Sequence, residues 1–258
     1  MKYPFYKYQG TGNDFVIIDN RSQYFPKKDT KLIALMCDRK FGVGADGLIL
    51  LENHPSLDFE MLYYNADGNE SSMCGNGGRC IVDFAKQLGV IESVTAFQAI
   101  DGLHKASFNL EGVSLKMADV DTVSVSEKYA FLDTGSPHHV QLVNHLEEFD
   151  VFEQGKIIRH EIYGEEGANV NFVEQLSGDV YSVRTYERGV ENETLSCGTG
   201  VTAVAIALHK MGLLGEYKVN LRTLGGTLKV KFDADDTGYS NVYLEGPATL
   251  VYKGVWEQ

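Results

Sequence analysis

A chain of 258 residues in which 43% are hydrophobic can fill one large or two ordinary cores, which excludes a disordered or fibrous protein. The formal net charge of −13 argues against nucleic acid or an anionic membrane as the main partner, since both are bound by basic surfaces. No apolar stretch has signal-peptide length or approaches the ~18 residues of a membrane span, which predicts a cytoplasmic location and no membrane partner.

The first half of the chain is predicted to consist mainly of strands. Strands at 5–8 and 15–18 flank a Gly-rich turn, and helical spacing over 29–39 follows, with Asp29 or Thr30 as the N-cap. The next predicted elements are a strand at 48–51, a strand at 59–64 that leads into a turn at 65–69, a helix over about 77–88 and strands within 94–118.

The second half begins after the polar stretch 119–128, which is predicted to be the domain boundary. A strand at 130–133 precedes a loop at 134–139, and further strands are predicted at 171–173 and 180–186. A helix over about 200–211 is apolar on almost every side, so it should be buried and ringed by strands. Many strands with one central helix per half predict an α+β fold rather than a doubly wound parallel sheet.

The most informative feature is a repeated cysteine motif. Cys74-Gly75-Asn76-Gly77 and Cys197-Gly198-Thr199-Gly200 each follow turn-prone sequence and precede a predicted helix. The match extends outwards, because each cysteine is preceded by a glutamate at four residues and followed by a glycine at fifteen. The chain is therefore interpreted as two pseudo-equivalent halves, 1–118 and 119–248.

Two thiols at helix starts suit proton transfer at carbon. A free thiol has a pKa near ~8.5, and a helix N-terminus favours its thiolate by roughly 0.3–1 kcal/mol. If both helices point at one cleft, their N–H groups would bind a carboxylate, while one thiolate removes a proton and the opposite thiol returns one. This scheme predicts a cofactor-free racemase or epimerase; Cys37 and Cys80 are interpreted as structural thiols.

Neither a cofactor nor a metal ion is predicted. The letters Gly42-x-Gly44-x-x-Gly47 resemble a dinucleotide fingerprint but lead into a strand instead of a helix. The pair His138-His139 suggests a metal site, but no further ligand stands at a suitable spacing.

With both cysteine motifs placed, the chain resembles the diaminopimelate epimerase family over nearly its whole length. The matching runs occur in the family's order: 10–15 (GTGNDF), 65–68 (NADG), 73–80 (MCGNGGRC), 136–138 (SPH), 169–172 (NVNF), 186–189 (YERG) and 196–200 (SCGTG).

The resemblance implies two similar domains, each a mostly antiparallel, barrel-like sheet around a central helix, with residues from about 249 to 258 returning to the first domain. It further implies interconversion of LL- and meso-2,6-diaminopimelate, a step towards lysine and peptidoglycan precursors, and a homodimer. Carried over by position, Cys74 and Cys197 would be the acid/base pair, and His138 and Glu187 would support catalysis, with Glu187 taking the reacting ammonium. The substrate-binding positions would be Asn13, Asn65, Gly75, Asn76, Asn169, Glu187, Arg188, Gly198 and Thr199.

Two positions depart from the family pattern. Ser136 stands where the family often has asparagine, and Gly47 where many members have glutamine. A hydrogen bond to the distal carboxylate is therefore not assigned to Ser136, nor a side-chain contact to Gly47.

Two other readings remain open at the level of sequence. Another two-cysteine enzyme, such as a proline or hydroxyproline racemase, would share the repeated motif. A thiol–disulfide switch or a non-catalytic amino-acid-binding protein would also use two facing cysteines.

Overall fold

The computed structural model describes residues 1–257, which divide into two compact units. One unit comprises Met1–Leu115 together with residues 247–257, and the other comprises Lys116–Gly246. The sequence-based proposal places the boundary after residue 118 and the return at about 249.

The first unit contains two helices and a single run of paired strands. Its elements are β1 (Lys2–Gly10), β2 (Asn13–Asp19), α1 (Thr30–Cys37), β3 (Gly47–Glu52), β4 (Phe59–Asn65), β5 (Glu70–Ser71), α2 (Gly75–Gln87), β6 (Val94–Ala99), β7 (Gly102–Asn109), β8 (Gly112–Lys116) and, from the C-terminus, β18 (Thr249–Glu257). The strands pair in the order β18-β1-β2-β3-β4-β6-β7-β8, with β5 also on β4. The β2–β3 and β4–β6 pairs are parallel and the others are antiparallel.

The second unit repeats this connectivity. Its elements are β9 (Val123–Val125), β10 (Ala130–Asp133), β11 (Pro137–Leu142), a 3-10 turn (Leu146–Glu148), α3 (Val151–Ile157), a π turn (Ile158–Ile162), β12 (Asn169–Ser177), β13 (Val180–Glu187), β14 (Asn192–Thr194), α4 (Gly198–Lys210), β15 (Lys218–Thr223), β16 (Gly226–Asp235) and β17 (Gly238–Gly246). The order is β9-β10-β11-β12-β13-β15-β16-β17, again with two parallel pairs, β11–β12 and β13–β15.

Each unit is organised around the helix that follows its cysteine. Every residue of α4 from 201 to 208 is fully buried, because the helix contacts strands β9 to β12 and β15 to β17 of its own unit. The apolar side chains on all sides of α4 thus pack against strands, as its sequence predicts. The α+β fold with one central helix per half is confirmed.

Several sequence-based element assignments need correction. Helices α2 and α4 begin at Gly75 and Gly198, two residues earlier than predicted, so each cysteine is the N-cap itself. His138 and His139 lie in strand β11 and not in a loop, because parallel pairing with β12 extends the sheet through them.

Other elements were missed because their sequences are polar or short. The stretch 119–128, for which no element was predicted, contains β9, which pairs antiparallel with β10. The segment between β11 and β12 contains α3, capped by the Asp150 side chain, which accepts a hydrogen bond from the Glu153 N–H. Strand β12 also extends well beyond the predicted 171–173.

Candidate active site

The Cys74 turn is built by the cysteine itself. Its sulfur accepts a hydrogen bond from the Gly77 N–H at 3.2 Å, in the way that an oxygen caps an ordinary helix, and its carbonyl accepts from the Gly78 N–H at 2.8 Å. The N–H groups of Gly75 and Asn76 occupy the first two helical positions, which have no acceptor inside an α-helix. The turn therefore presents a half-buried sulfur beside N–H groups that suit an anion.

The Asn76 side chain is bound by residues on either side of the turn. Its Oδ1 accepts from Arg79 Nη2 at 3.0 Å and its Nδ2 donates to Asn13 Oδ1 at 3.4 Å. The Asn76 amide contacts Asn13 and Arg79, while the Cys74 sulfur accepts the hydrogen bond that an N-cap side chain usually accepts.

The Cys197 turn has the same backbone and a different side-chain environment. The Val201 N–H donates to the Cys197 carbonyl at 3.0 Å, and the sulfur lies 3.5 Å from Thr199 Oγ1. The Thr199 carbonyl accepts from Thr134 Oγ1 at 2.9 Å, which ties the turn to the end of β10. Cys197 is 6% exposed, so its sulfur is more enclosed than that of Cys74.

The second glycine of each motif lies close to the cysteine sulfur. A Cβ on Gly77 would lie 3.3 Å from the Cys74 sulfur, and a Cβ on Gly200 would lie 3.2 Å from the Cys197 sulfur. On Gly200 that Cβ would also lie 2.5 Å from Asn171 Oδ1, which no real side chain tolerates. Part of the Cys-Gly-x-Gly pattern is thus explained by the space that the thiol occupies.

A buried arginine lies inside the first turn of α2. Arg79 is 0% exposed, and its guanidinium donates to the Gly75 carbonyl (3.1 Å), Thr11 Oγ1 (3.2 Å) and the Pro247 carbonyl (3.3 Å) as well as to Asn76. Burial lowers the pKa of Arg79 to about 10, while the nearby Cys80 and Cys74 oppose that shift. No carboxylate within residues 1–257 forms an ion pair with Arg79, so its charge acts on its thiol neighbours.

Asn13 is oriented by an ion cluster at the start of β2. Its Nδ2 donates to Asp46 Oδ2 at 2.6 Å, which turns its Oδ1 towards Asn76 and the Cys74 sulfur, 3.8 Å away. Arg39 binds Asp14 through both terminal nitrogens, at 3.0 and 2.7 Å, and also contacts Asp46 at 2.8 Å.

A buried lysine completes this cluster. Lys7 Nζ lies 2.7 Å from Asp14 and also donates to the Gly44 carbonyl. Burial alone would raise the pKa of Asp14, but the hydrogen-bonded ion pairs with Arg39 and Lys7 outweigh it and lower the pKa to about 2.

Asn169, Arg188 and Ser136 form one polar group in the second unit. Asn169 Oδ1 accepts from the Arg188 backbone N–H at 2.8 Å, and Asn169 Nδ2 donates to Ser136 Oγ at 3.1 Å. The Arg188 guanidinium reaches the Glu166 carbonyl at 2.7 Å and Ser136 Oγ at 3.5 Å. Ser136 therefore belongs to this polar group, although the sequence assigns it no contact.

The remaining predicted site residues end strands. Glu187 closes β13 and accepts a hydrogen bond from Thr194 Oγ1 at 2.9 Å. Asn65 closes β4 with an exposed side chain, and its carbonyl accepts from the Gly68 N–H at 2.9 Å in a tight turn. At Gly47 a Cβ would lie 2.5 Å from both the Tyr64 carbonyl and the Tyr63 ring, which explains why a glutamine is not accommodated.

His138 lies in a buried polar group that the sequence did not reveal. Its Nδ1 lies 3.1 Å from Asn171 Nδ2, and Asn171 Oδ1 accepts from Thr185 Oγ1 at 2.9 Å. Burial, with a smaller contribution from Arg188, lowers the pKa of His138 to about 3, so the imidazole is neutral. Asn171 falls within a run that matches the family, but its burial and its contact with His138 depend on the pairing of β11 with β12.

The other cysteines and histidines have structural environments. Burial raises the pKa of Cys37 to about 12 and that of Cys80 still further, so both remain protonated thiols. His139 binds the Tyr163 hydroxyl through Nδ1 at 2.9 Å. Within residues 1–257, no three potential metal ligands cluster and no helix has the length and apolarity to cross a bilayer.

The same fold occurs in solved structures of other proteins. A phenazine biosynthesis protein of the PhzF family from Bacillus anthracis superposes with a TM-score of 0.80 at 12% identity, covering 100% of both chains. A hydroxyproline epimerase from Agrobacterium vitis superposes with a TM-score of 0.70 at 15% identity, covering 98% of this chain and 92% of the other. At such identities the likeness establishes the fold alone.

Sequence similarity establishes the family. A family model described as diaminopimelate epimerase matches residues 5–121 and 130–251. The chain is 55% identical to the diaminopimelate epimerase of Flavobacterium psychrophilum, over 96% of this chain and 98% of the relative. It is 39% identical to that of Aquifex aeolicus, over 97% and 96% of the two chains. The chain belongs to the diaminopimelate epimerase family and is therefore an epimerase, an isomerase, as its sequence predicts.

Proposed function

We propose that the protein interconverts LL- and meso-2,6-diaminopimelate without a cofactor, using Cys74 and Cys197 as a two-thiol acid/base pair. The observation that carries the proposal is the repeated geometry: in each unit a cysteine is the N-cap of a central helix. The similarity to diaminopimelate epimerases over nearly the full chain supports the choice of substrate.

The chemical roles follow from what each group can donate or accept. One thiolate removes the α-proton and the other thiol delivers a proton to the opposite face, so that configuration inverts and the roles exchange in the reverse reaction. The N–H groups of Gly75, Asn76, Gly198 and Thr199 bind the α-carboxylate, onto which negative charge spreads when the proton leaves.

Other side chains of the site bind the remaining groups of the substrate. Glu187, as an acceptor, takes the reacting ammonium, while His138 supports the reaction centre. Arg188, Asn169 and Asn65 bind the distal amino-acid end, since a guanidinium pairs with a carboxylate and amides suit either charged group. Asn13 lines the pocket.

The decisive experiment is solvent deuterium incorporation at the α-carbon of LL-diaminopimelate, measured with metal-free and cofactor-free protein. We expect exchange in the wild type and a loss of at least about 1,000-fold in Cys74→Ser and in Cys197→Ser, with substrate affinity largely retained. Wild-type turnover in either variant would refute the two-thiol scheme.

The same assay separates the alternatives. Exchange with proline or hydroxyproline but not with diaminopimelate would favour another racemase of this fold, such as the hydroxyproline epimerase that it resembles. Turnover that reductant abolishes would favour a thiol–disulfide switch, whereas we expect reductant to preserve activity.

The proposed enzyme acts in the cytoplasm as a homodimer. Strand β18 presents the exposed apolar side chains of Val251, Tyr252 and Val255, which support an interface with a second copy. Sedimentation equilibrium should give twice the chain mass, and Tyr252→Glu should shift the equilibrium towards the monomer, whereas an exclusively monomeric wild type would contradict the assignment.

A further inference from the structure

The two units differ at three matched positions beneath their cysteine turns. In the first unit the pairing register aligns Phe15 with Gly47 and Ile49 with Tyr63. In the second unit the corresponding pairs are His138 with Asn169 and Asn171 with Thr185. The polar triad His138–Asn171–Thr185 therefore stands where the first unit has Phe15, Ile49 and Tyr63.

The polar triad is deeply buried. His138 and Asn171 are 0% exposed and Thr185 is 3% exposed. Polar groups cost free energy when they leave water, and the buried positions equivalent to His138 and Asn171 hold the apolar Phe15 and Ile49 in the first unit. The triad is thus not required by the architecture, which points to a role in the site.

The backbone of His139 fixes the orientation of the Asn171 amide. Asn171 Nδ2 lies 2.9 Å from the His139 carbonyl oxygen, which can only accept, so the nitrogen and not the oxygen must stand there. The Thr185 hydroxyl then donates to Asn171 Oδ1 at 2.9 Å. Both ends of the amide are assigned by their partners.

The fixed amide in turn selects one tautomer of His138. Asn171 Nδ2 lies 3.1 Å from His138 Nδ1, and because it is a donor, Nδ1 must accept. A neutral imidazole with an accepting Nδ1 carries its hydrogen on Nε2. Burial, more than the nearby Arg188, lowers the pKa of His138 to about 3, which keeps the ring neutral.

The Nε2–H donor of His138 has no acceptor among residues 1–257. The atom is buried and has no hydrogen-bond partner within residues 1–257. Buried polar groups are almost always paired, so a lone oriented donor indicates an acceptor that comes from outside the chain.

We propose that Asn171 is a positioning residue that holds His138 as an Nε2–H donor for a carboxylate oxygen of the substrate. An ammonium group is excluded as the partner, because it offers only donors. The choice of a carboxylate ligand rests on the proposed function, whereas the tautomer follows from the contacts alone.

The tautomer is tested by nitrogen-15 NMR of histidine-labelled protein, which identifies the protonated ring nitrogen through long-range proton–nitrogen correlations. We expect the His138 proton on Nε2 in the wild type and in Thr185→Val, which keeps the His139 carbonyl contact. In Asn171→Asp, a carboxylate acceptor replaces the donor, so the proton should appear on Nδ1 and kcat/KM should fall about 100-fold.

Two results would overturn the positioning role. One is a wild-type proton on Nδ1, which remains measurable even if Asn171→Asp fails to fold. The other is a folded Asn171→Asp protein whose proton stays on Nε2. His139 provides an internal reference, because its ring binds Tyr163 and should not respond.

The ligand is tested on the Cys74→Ser/Cys197→Ser double variant, which binds without turnover. Diaminopimelate should shift the Nε2–H resonance downfield, whereas 1,5-diaminopentane, which has the same amines and no carboxylate, should not. A response to both or to neither would overturn the carboxylate assignment. Absence of deuterium exchange with diaminopimelate in the wild type would instead refute the proposed function and leave the tautomer standing.

Discussion

The two cysteine turns share a backbone motif but lie on different supports. Beneath Cys74 the residues nearest to Gly77 are the apolar Ile49 and Phe15, with the buried Arg79 inside the helix. Beneath Cys197 the nearest group is the amide of Asn171.

The same contrast holds five residues after each cysteine. Arg79 Nη1 donates to the Gly75 carbonyl at 3.1 Å, and Thr202 Oγ1 donates to the Gly198 carbonyl at 2.9 Å. One turn thus receives a buried positive charge and the other a neutral hydroxyl. The comparison teaches that a repeated motif places two like groups, while the non-repeated residues below give each its own electrostatic environment.

Among the changes that compare the two turns, the largest expected effect comes from adding one methyl group to the second glycine of each turn. Gly200→Ala should lower epimerisation at least about 100-fold and stability by about 2 kcal/mol, because its Cβ would lie 2.5 Å from Asn171 Oδ1. Gly77→Ala should cost less, since its nearest contacts are at 3.3 Å and alanine favours the helix by about 1 kcal/mol. Deuterium exchange and urea unfolding measure both, and equal losses would contradict the difference in support.

The next effect tests the charge beneath each thiol. Arg79→Met removes a buried cation beside Cys74, so alkylation of Cys74 by iodoacetamide at neutral pH should slow about tenfold. Thr202→Val removes only a hydroxyl and should leave the alkylation rate of Cys197 within about twofold. Peptide mapping by mass spectrometry distinguishes the two thiols, and an unchanged Cys74 rate in folded Arg79→Met would show that the arginine is only structural.

A smaller effect is expected where the ion cluster orients Asn13. Asp46→Asn removes the carboxylate that accepts a hydrogen bond from Asn13 Nδ2 at 2.6 Å, so the side-chain amide of Asn13 is free to rotate. We expect KM for diaminopimelate to rise about fivefold with kcat nearly unchanged, because only binding depends on this contact. Asp235→Asn, at the exposed end of strand β16 in the second unit, makes the same charge change and should have no effect. A fall in kcat alone would place Asn13 in the chemical step.

The smallest effect concerns acid stability. The pKa of Asp14 is about 2 in the folded protein, below the ~3.9 of an unfolded aspartate, so the cluster stabilises the fold above pH ~4 and this contribution disappears as the pH falls towards 2. Allowing for the partly exposed Arg39, the contribution is about 1 kcal/mol. Asp14→Asn should therefore be less stable than the wild type at pH 7 and equal to it near pH 2, as measured by urea unfolding. A constant difference between the two proteins would exclude Asp14 as the titrating group.

The sequence by itself determined the α+β class, the repeat, the family and the place of two cysteines beside helix starts. These follow from short-range patterns: an apolar helix must be buried, and turn-prone sequence before each Cys-Gly-x-Gly run predicts a helix start there. The predicted helix starts lie two residues too late because cysteine is not among the residues that usually mark an N-cap.

Only the tertiary structure decided which residues surround each thiol. Arg79 belongs to the run 73–80 and Asn171 to the run 169–172, yet the spacing of neither residue indicates its role. The role of Asn171 depends on strand pairing, which brings it next to His138. The role of Arg79 depends on its burial beside Cys74 and Cys80, where no carboxylate within residues 1–257 forms an ion pair with it. Register and burial join residues far apart in the chain, so local sequence cannot fix them.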